Sequence, residues 1–157
     1  MTNPKDEEFM RIAVNHAIEA AKRGDVPVGA VVVQKITESE IKILSGGGNV
    51  KTTDPTAHAE MNAIRDACRA LGGWNLSGCE LFVTLEPCPM CAGAIVQARI
   101  DRVVYGCADP KAGAAGTLYN ILNDSRLNHR CEITGGILEE ECRALLIDFF
   151  KERHERK

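Results

Sequence analysis

The segment LFVTLEPCPMCAGAIVQARIDRVVY, residues 81–105, decides the fold because it predicts a complete β-α-β unit. Its first five residues form an apolar run of the kind found in buried strands. Pro87 follows this strand, and since proline favours the first turn of a helix, a helix is predicted over residues 88 to about 99. A second strand is predicted at residues 103–105. Two strands joined by a crossover helix lie parallel in one sheet, which indicates an α/β fold.

Similar patterns extend in both directions along the chain. Further helices are predicted at residues 7 to about 23, 56 to about 71, about 118–122 and 139–153. Further strands are predicted at residues 26–33, 41–44 and 131–134. The first of these strands is a continuous β-branched run, which is typical of a strand covered on both faces. The glycines at 46–48 lack the Lys-Ser/Thr sequel of a phosphate-binding loop, so they are interpreted as a mobile loop or bulge.

The order of the predicted elements is α-β-β-α-β-α-β-α-β-α, so strands alternate with helices over most of the chain. That alternation predicts one sheet with helices on both faces, a three-layer α/β/α sandwich. The first two strands are close enough in sequence to form an antiparallel hairpin. The five-stranded sheet is therefore expected to be mixed and mostly parallel, within a single domain of residues 1–157.

The composition is that of an ordinary globular protein, with 45% apolar and 26% charged residues. Residues 1–8 are polar and acidic, and no apolar run reaches the length of a membrane span, so a cytoplasmic location is expected. The seven cysteines are an odd number and are interpreted as reduced thiols. Because the net charge is −3, a nucleic-acid partner would have to bind a local basic patch.

Two short motifs hold the residues with the most distinctive chemistry. His58 and Glu60 stand at the predicted start of one helix. Cys88 and Cys91 stand at the predicted start of another. One imidazole and two thiolates can bind zinc and leave its fourth position to water, which is the arrangement of a catalytic zinc site. We therefore predict one zinc ion per subunit on His58, Cys88 and Cys91, with Glu60 as the catalytic proton carrier.

Each motif has an alternative interpretation when it is taken alone. A Cys-x-x-Cys pair occurs in redox sites and in structural zinc sites, but a structural zinc needs four protein ligands and no second pair completes them here. His58 and Glu60 could simply cap a helix beside buried thiols. The presence of both motifs, each at a predicted helix start, favours the catalytic metal site.

The segments His58-Ala59-Glu60 and Pro87-Cys88-Pro89-Met90-Cys91 together resemble the signature of the zinc-dependent nucleobase deaminases. Further segments resemble one branch of them, the bacterial tRNA-specific adenosine deaminases, at residues 26–31, 54–60, 84–88, 90–94, 109–111, 113–116, 128–130, 136–138 and 148–150. The resemblance implies a cytidine-deaminase-like fold, a homodimer, and hydrolysis of adenosine to inosine at the wobble position of a tRNA anticodon. In that reaction zinc-bound hydroxide attacks C6, Glu60 moves the protons and ammonia leaves.

The resemblance also implies substrate-binding residues outside the zinc motif, and these candidates are Asn49, Asp109, Lys111, Phe149, Phe150 and Arg153. The asparagine would contact the target nucleotide, and the loop at 109–111 would lie along the flipped nucleotide and its neighbours. One phenylalanine would present an aromatic face near the anticodon loop, and the arginine would bind a phosphate. Because the two phenylalanines are adjacent on a helix, at least one of them is expected in the core.

Asn49 departs from the family pattern because it stands closer to His58 than the corresponding family asparagine does. The connection at residues 34–40 is correspondingly longer. Either the loop follows another path and Asn49 still reaches the pocket, or its role has changed. Two other functions also remain open from the sequence. One is a deaminase of free bases or nucleosides such as guanine or cytosine, with a closed pocket, and the other is a zinc-stabilised binding module without turnover.

Overall fold

The computed structural model describes residues 3–51 and 53–155 of the chain. The helices and strands within these ranges are α1 (Pro4–Lys22), β1 (Gly29–Lys35), β2 (Ile41–Gly48), α2 (Ala59–Leu71), β3 (Cys79–Leu85), α3 (Pro89–Gln97), β4 (Arg102–Cys107), β5 (Glu132–Gly135) and α4 (Glu139–Glu155). All five strands belong to one sheet, in the order β2-β1-β3-β4-β5. None of the helices in the described ranges has the length and apolar character needed to cross a membrane.

The sheet is mixed because β1 runs against every other strand. It pairs antiparallel with β2 on one side and with β3 on the other, whereas β3, β4 and β5 pair in parallel. The hairpin after β1 places β2 at the edge of the sheet, and α2 then carries the chain across β1 to β3. Four of the five strands therefore point the same way, which confirms the prediction of a mixed, mostly parallel sheet.

The helices cover the two faces of the sheet in pairs, with α1 and α4 on one face and α2 and α3 on the other. Side chains alternate between the faces along a strand. Val31 and Val33 accordingly join Phe82 in the core beneath α1 and α4. Ala30 and Val32 join the core beneath α2 and α3. The three-layer α/β/α sandwich is confirmed, and β1 is buried on both faces as its β-branched run predicts.

The interpretation of the three glycines at 46–48 as a mobile loop or bulge is wrong. They form the end of β2 and pair with the first residues of β1. The close approach of α1 explains their composition, because a Cβ atom on Gly48 would lie 2.8 Å from the carbonyl oxygen of His16. A side chain on Gly46 would collide with the His16 ring. The irregularity in β2 lies before the glycines, where the register shifts between Val32 and Val33 of β1.

The prediction of a short helix at about 118–122 is also wrong. Residues 108–131, all of which the structure describes, connect β4 to β5 without a helix. The backbone N–H groups of Leu118 and Tyr119 both donate to the carbonyl oxygen of Gly113, at 3.0 and 3.1 Å, and Ala115 forms an isolated bridge with Asn120. These bonds fold the segment back on itself instead of continuing along a helical axis.

Candidate active site

Two helix starts come together at one edge of the sheet. Because β2 and β3 point the same way, the segments that follow their last residues emerge at the same edge. His58 is the N-cap residue of α2 and Cys88 is the N-cap residue of α3, and both have extended backbone angles. Neither side chain caps its own helix by a hydrogen bond. Both side chains are therefore available to face each other.

The three predicted ligands have the spacing of a metal site. His58 Nδ1 lies 3.6 Å from Cys88 Sγ and 3.5 Å from Cys91 Sγ. The three ligand atoms all lie within 4.8 Å of one another. Ligand atoms at the usual bond lengths from a tetrahedral zinc ion are about 3.6 Å apart. The donor set, one imidazole nitrogen and two sulfurs, and its spacing fit zinc.

The electrostatics of the cluster favour a thiolate. Hydrogen bonds, first from Cys91 and then from His58, lower the pKa of Cys88 to about 4, although burial opposes this. The hydrogen bond with Cys88 in turn raises the pKa of His58, while burial and the charge of Lys51 act in the opposite sense. Cys91 donates to Cys88 and is buried, and both effects raise its pKa. A dication would displace the protons that this cluster holds.

Glu60 lies in the first turn of α2, beside the cluster. Its side chain is almost completely buried, with 3% of the residue exposed. Burial raises the pKa of the Glu60 carboxyl to about 7, against smaller opposing effects that include the positive His58 ring and a hydrogen bond with Cys91. A carboxyl group that titrates near neutral pH can both accept and return a proton.

A cavity of about 190 Å³ opens onto the cluster, and its lining residues are Val26, Val28, Asn49, Lys51, His58, Glu60, Leu85, Glu86, Cys88, Asp109 and Ala112. We call it the catalytic cavity. Five of the predicted site residues therefore meet around one space. Cys91 is fully buried behind it, whereas Lys111 is exposed and is not part of its lining.

Asn49 reaches the catalytic cavity despite its changed position in the sequence. It is 5% exposed, and its side-chain oxygen accepts a hydrogen bond of 2.7 Å from the backbone N–H of Ala59. Asn49 thus caps α2 from outside the helix and replaces the missing side-chain cap at His58. Asn49 therefore lines the same cavity as His58 and Cys88.

The loop after β4 contributes Asp109 and Ala112 to the lining of the catalytic cavity. The Asp109 carboxylate accepts hydrogen bonds from the backbone N–H groups of Lys111, at 2.9 Å, and Ala112, at 3.2 Å. Its side chain therefore holds the turn of its own loop. Lys111 takes part in this turn through its backbone N–H group, and the residue is exposed to solvent.

The predicted C-terminal residues line a second cavity beside the first. This aromatic cavity, of about 260 Å³, is lined by Gly24, Asp25, Val26, Lys51, Phe149, Phe150 and Arg153. The Arg153 guanidinium lies 4.7 Å from the centre of the Phe149 ring and donates a hydrogen bond to the carbonyl oxygen of Gly24. Phe150 meets Phe149 edge-on at 5.4 Å and is 49% exposed. The expectation that at least one of these rings enters the core is wrong: Phe149 is only partly buried, Phe150 is exposed, and both rings line this open cavity instead.

Glu86 is a residue of this site that the sequence motifs did not reveal. It is 1% exposed and accepts hydrogen bonds from the backbone N–H groups of Asp109, Ala115 and Thr117 and from the Thr117 hydroxyl. Burial opposes ionisation of Glu86, but these hydrogen bonds hold the pKa of its carboxyl below the usual value. Glu86 therefore anchors the 109–117 loop to the end of β3. The sequence contained one signal for Glu86, namely a single acidic residue between an apolar strand and Pro87.

Lys51 was also missed, and it lines both the catalytic cavity and the aromatic cavity. Val26 is the other residue common to the two linings. The only hint in the sequence was a basic residue shortly after Asn49, in the loop that leads to His58.

Comparison with known proteins agrees with this geometry. The profile of the family described as the cytidine and deoxycytidylate deaminase zinc-binding region matches residues 3–107. A tRNA-specific adenosine deaminase of Bacillus subtilis (strain 168) is 46% identical over 155 residues, which cover 98% of this chain and 93% of that protein. A structure solved in a study of A-to-I editing by tRNA:A34 deaminases at the wobble position of transfer RNA is 40% identical. It covers 88% of this chain and 99% of the solved chain, with a TM-score of 0.81. The X-ray structure of guanine deaminase from Bacillus subtilis is 41% identical and covers 74% of this chain and 71% of that one, with a TM-score of 0.60.

Proposed function

The chain belongs to the cytidine and deoxycytidylate deaminase zinc-binding family, and from that premise we propose that it hydrolyses adenosine to inosine at the wobble position of tRNA anticodons. The observation that carries the proposal is the convergence of His58, Cys88 and Cys91 beside the buried Glu60, in a cavity that adjoins an aromatic one. The close similarity to tRNA-specific adenosine deaminases over nearly the whole chain supports the substrate.

In this proposal His58, Cys88 and Cys91 hold one zinc ion per subunit. When bound, zinc lowers the pKa of a coordinated water from about 15.7 toward about 7 and so supplies the attacking oxygen at neutral pH. Glu60 would carry one proton of the attacking water to the purine ring and then the second proton to the leaving amino group at C6. The products are inosine and ammonia. A Glu60 pKa of about 7 suits a group that must both accept and release protons.

The remaining wall residues would hold the target base. Val26, Val28 and Leu85 would make apolar contacts with a purine ring. The Asn49 amide would form a hydrogen bond with a polar edge of the base. Phe149, Phe150 and Arg153 would receive a neighbouring nucleotide in the aromatic cavity, since single-stranded bases stack on aromatic rings and cations bind phosphates. Asp109 would keep its loop in the shape that lines the cavity. Lys111 would contact the RNA from the surface.

A deaminase of free guanine is the principal rival function. It shares the zinc site, so the residues around the metal do not distinguish the two. Two facts favour the RNA substrate. The solved structure from the tRNA study matches more of this chain and superposes better than guanine deaminase does, with TM-scores of 0.81 and 0.60. The catalytic cavity also adjoins a second open cavity, which a free base has no need of.

We also propose that the protein acts in the cytoplasm, and that it forms a homodimer, as the family resemblance implies. Leu118 and Tyr119 are adjacent in the loop after β4 and are 52% and 54% exposed, so they offer apolar surface to a partner subunit. Light scattering coupled to size-exclusion chromatography measures the mass of the particle in solution. A particle of twice the chain mass is expected, and a monomer at micromolar concentration would contradict the dimer.

The function is tested by offering three kinds of substrate to zinc-loaded protein under one set of conditions. These are an anticodon stem-loop RNA with adenosine at the wobble position, the DNA hairpin of the same sequence, and free guanine and cytosine. Mass spectrometry of the nucleosides measures the conversion. Inosine formed in the RNA at the wobble position alone is the expected result. Turnover of free guanine or cytosine without action on the stem-loop would establish the rival function.

A further inference from the structure

Lys51 occupies the boundary between the two cavities. It lines the catalytic cavity together with His58 and Glu60, and it lines the aromatic cavity together with Phe149 and Phe150. Val26 is the other residue that belongs to both linings. The wall between the cavities thus consists of one apolar side chain and one exposed lysine.

The charges around this boundary leave Lys51 available for an anion. Within the part of the chain that the structure describes, the Lys51 ammonium forms no ion pair. The neighbouring cation, Arg153, already donates to the Gly24 carbonyl and stacks on Phe149. The neighbouring acid Asp109 is engaged with its own loop, and Glu60 is buried. Asp25, the remaining acid of the aromatic cavity, is buried and has interactions of its own.

A nucleic acid strand that fills both cavities must cross this wall. If the target base lies in the catalytic cavity and the adjacent base in the aromatic cavity, the linkage between the two nucleotides passes over Val26 and Lys51. That linkage is a phosphodiester with one negative charge. An exposed lysine ammonium is a suitable contact for it, because phosphates are the usual partners of lysine in nucleic-acid interfaces.

We propose that Lys51 binds the phosphate that joins the target nucleotide to the neighbour held in the aromatic cavity. This inference rests on the proposed function, since it requires a polynucleotide substrate. The contact is made equally before and during the reaction, so it stabilises the bound RNA and leaves the chemical step unchanged. Lys51 would thereby favour a target within a strand over a free nucleoside, which has no such phosphate.

The test compares Lys51→Gln with the matched control Lys42→Gln. Lys42 is an exposed lysine of β2 that lines neither cavity. Both changes are made in zinc-loaded protein that also carries Glu60→Gln, so that the RNA is not converted while its Kd is measured by fluorescence anisotropy. The expected rise in Kd for Lys51→Gln is roughly three- to fivefold at low salt. The slope of log Kd against log salt should fall by about 0.7, the value for one phosphate of a single strand, and Lys42→Gln should change neither quantity.

A second experiment, with modified RNA, identifies which phosphate Lys51 contacts. Stem-loops with one neutral methylphosphonate linkage, on either the 5′ or the 3′ side of the target, remove a single charge from the RNA. One of the two should weaken binding to the protein with Lys51 and have no effect on the protein with Lys51→Gln. An unchanged salt slope in Lys51→Gln, or equal weakening of both proteins by each neutral linkage, would overturn the inference. If protein with Glu60 intact converts no RNA, the proposed function fails separately, and these binding data still decide the role of Lys51.

Discussion

The catalytic cavity has two walls that are built in different ways. The helix wall consists of His58, Glu60 and Cys88, which stand in the first turn or at the cap of α2 and α3, and the fully buried Cys91 supports it from the first turn of α3. The loop wall consists of Asn49, Lys51, Asp109 and Ala112, which belong to the segments before α2 and after β4. The helix wall is fixed by packed secondary structure, whereas the loop wall is fixed by individual hydrogen bonds.

Because of this difference, the two walls are suited to different tasks. Groups that bind a metal and transfer protons need accurate positions, and the starts of packed helices supply them. Groups that select a substrate can sit on loops, where sequence and length vary more freely. We therefore expect changes in the helix wall to alter the rate of the reaction and changes in the loop wall to alter binding and local stability.

Loss of a metal ligand should have the largest effect. Cys88→Ser removes the sulfur with the most acidic pKa and should abolish stoichiometric zinc binding together with activity. Cys68→Ser is the matched control, because Cys68 is a free cysteine on α2 outside the cluster. Zinc content is measured by mass spectrometry of metals. A chelator should likewise inactivate the unmodified protein, with recovery on adding zinc, and full activity of metal-free protein would contradict the role of the cluster.

Glu60→Gln should have the next largest effect. The amide keeps the shape of the side chain but cannot accept or return a proton, so the single-turnover rate should fall by about 10²- to 10⁴-fold. The zinc content and the Kd for the stem-loop should stay unchanged. Glu132→Gln, an exposed acid of β5, is the control and should retain the full rate. A variant that kept the normal rate would show that another group carries the protons.

Glu86→Gln tests the anchor of the loop wall and should act on stability more than on chemistry. An amide cannot accept all four hydrogen bonds and turns its own NH2 group toward backbone donors. The free energy of unfolding should fall by about 2 kcal/mol, measured by denaturant titration. Zinc content should be retained, while KM for the stem-loop rises more than kcat falls. A loss confined to kcat, with normal stability, would place Glu86 in the chemistry instead.

The smallest expected effect is a pH dependence that arises from His16 under the end of β2. Burial, followed by the positive charge of Arg23, lowers the pKa of His16, with Glu19 opposing. Below the ordinary histidine pKa of about 6.5 the unfolded chain therefore binds a proton that the folded protein resists. The contribution of His16 to the free energy of unfolding should be fully present above that pH. It should be lost as the pH falls from about 6.5 through the lowered pKa of the folded protein. His16→Asn should remove this component, and identical pH profiles of the two proteins would contradict it.

The two walls also differ in how far the sequence predicts them. The cluster of His58, Cys88 and Cys91 could be predicted because local signals, such as Pro87 after an apolar strand, place Cys88 at a helix start. The α/β/α fold, the family and the zinc ion are confirmed. The loop wall depends on contacts between distant segments, which local signals do not contain. The position of Lys51 between two cavities depends on α4, about 100 residues later.

The wrong predictions for residues 46–48 and 118–122 have the same physical origin. Gly46 and Gly48 form a regular strand because α1 passes too close for side chains, and that contact exists only in the folded sheet. Residues 118–122 do not form a helix because the N–H groups of Leu118 and Tyr119 donate to Gly113, and the preceding Thr117 is bonded to the buried Glu86. In both places tertiary contacts override local preference.

The division of work between the two walls is tested most directly by measuring two quantities for Glu60→Gln and Lys51→Gln on one anticodon stem-loop. These are the single-turnover rate at saturating protein and the Kd for the RNA. We predict that Glu60→Gln loses the rate and keeps the Kd of the unmodified protein, while Lys51→Gln keeps the rate and loses affinity. If both variants changed the same quantity, the separation of chemistry from substrate binding would be contradicted.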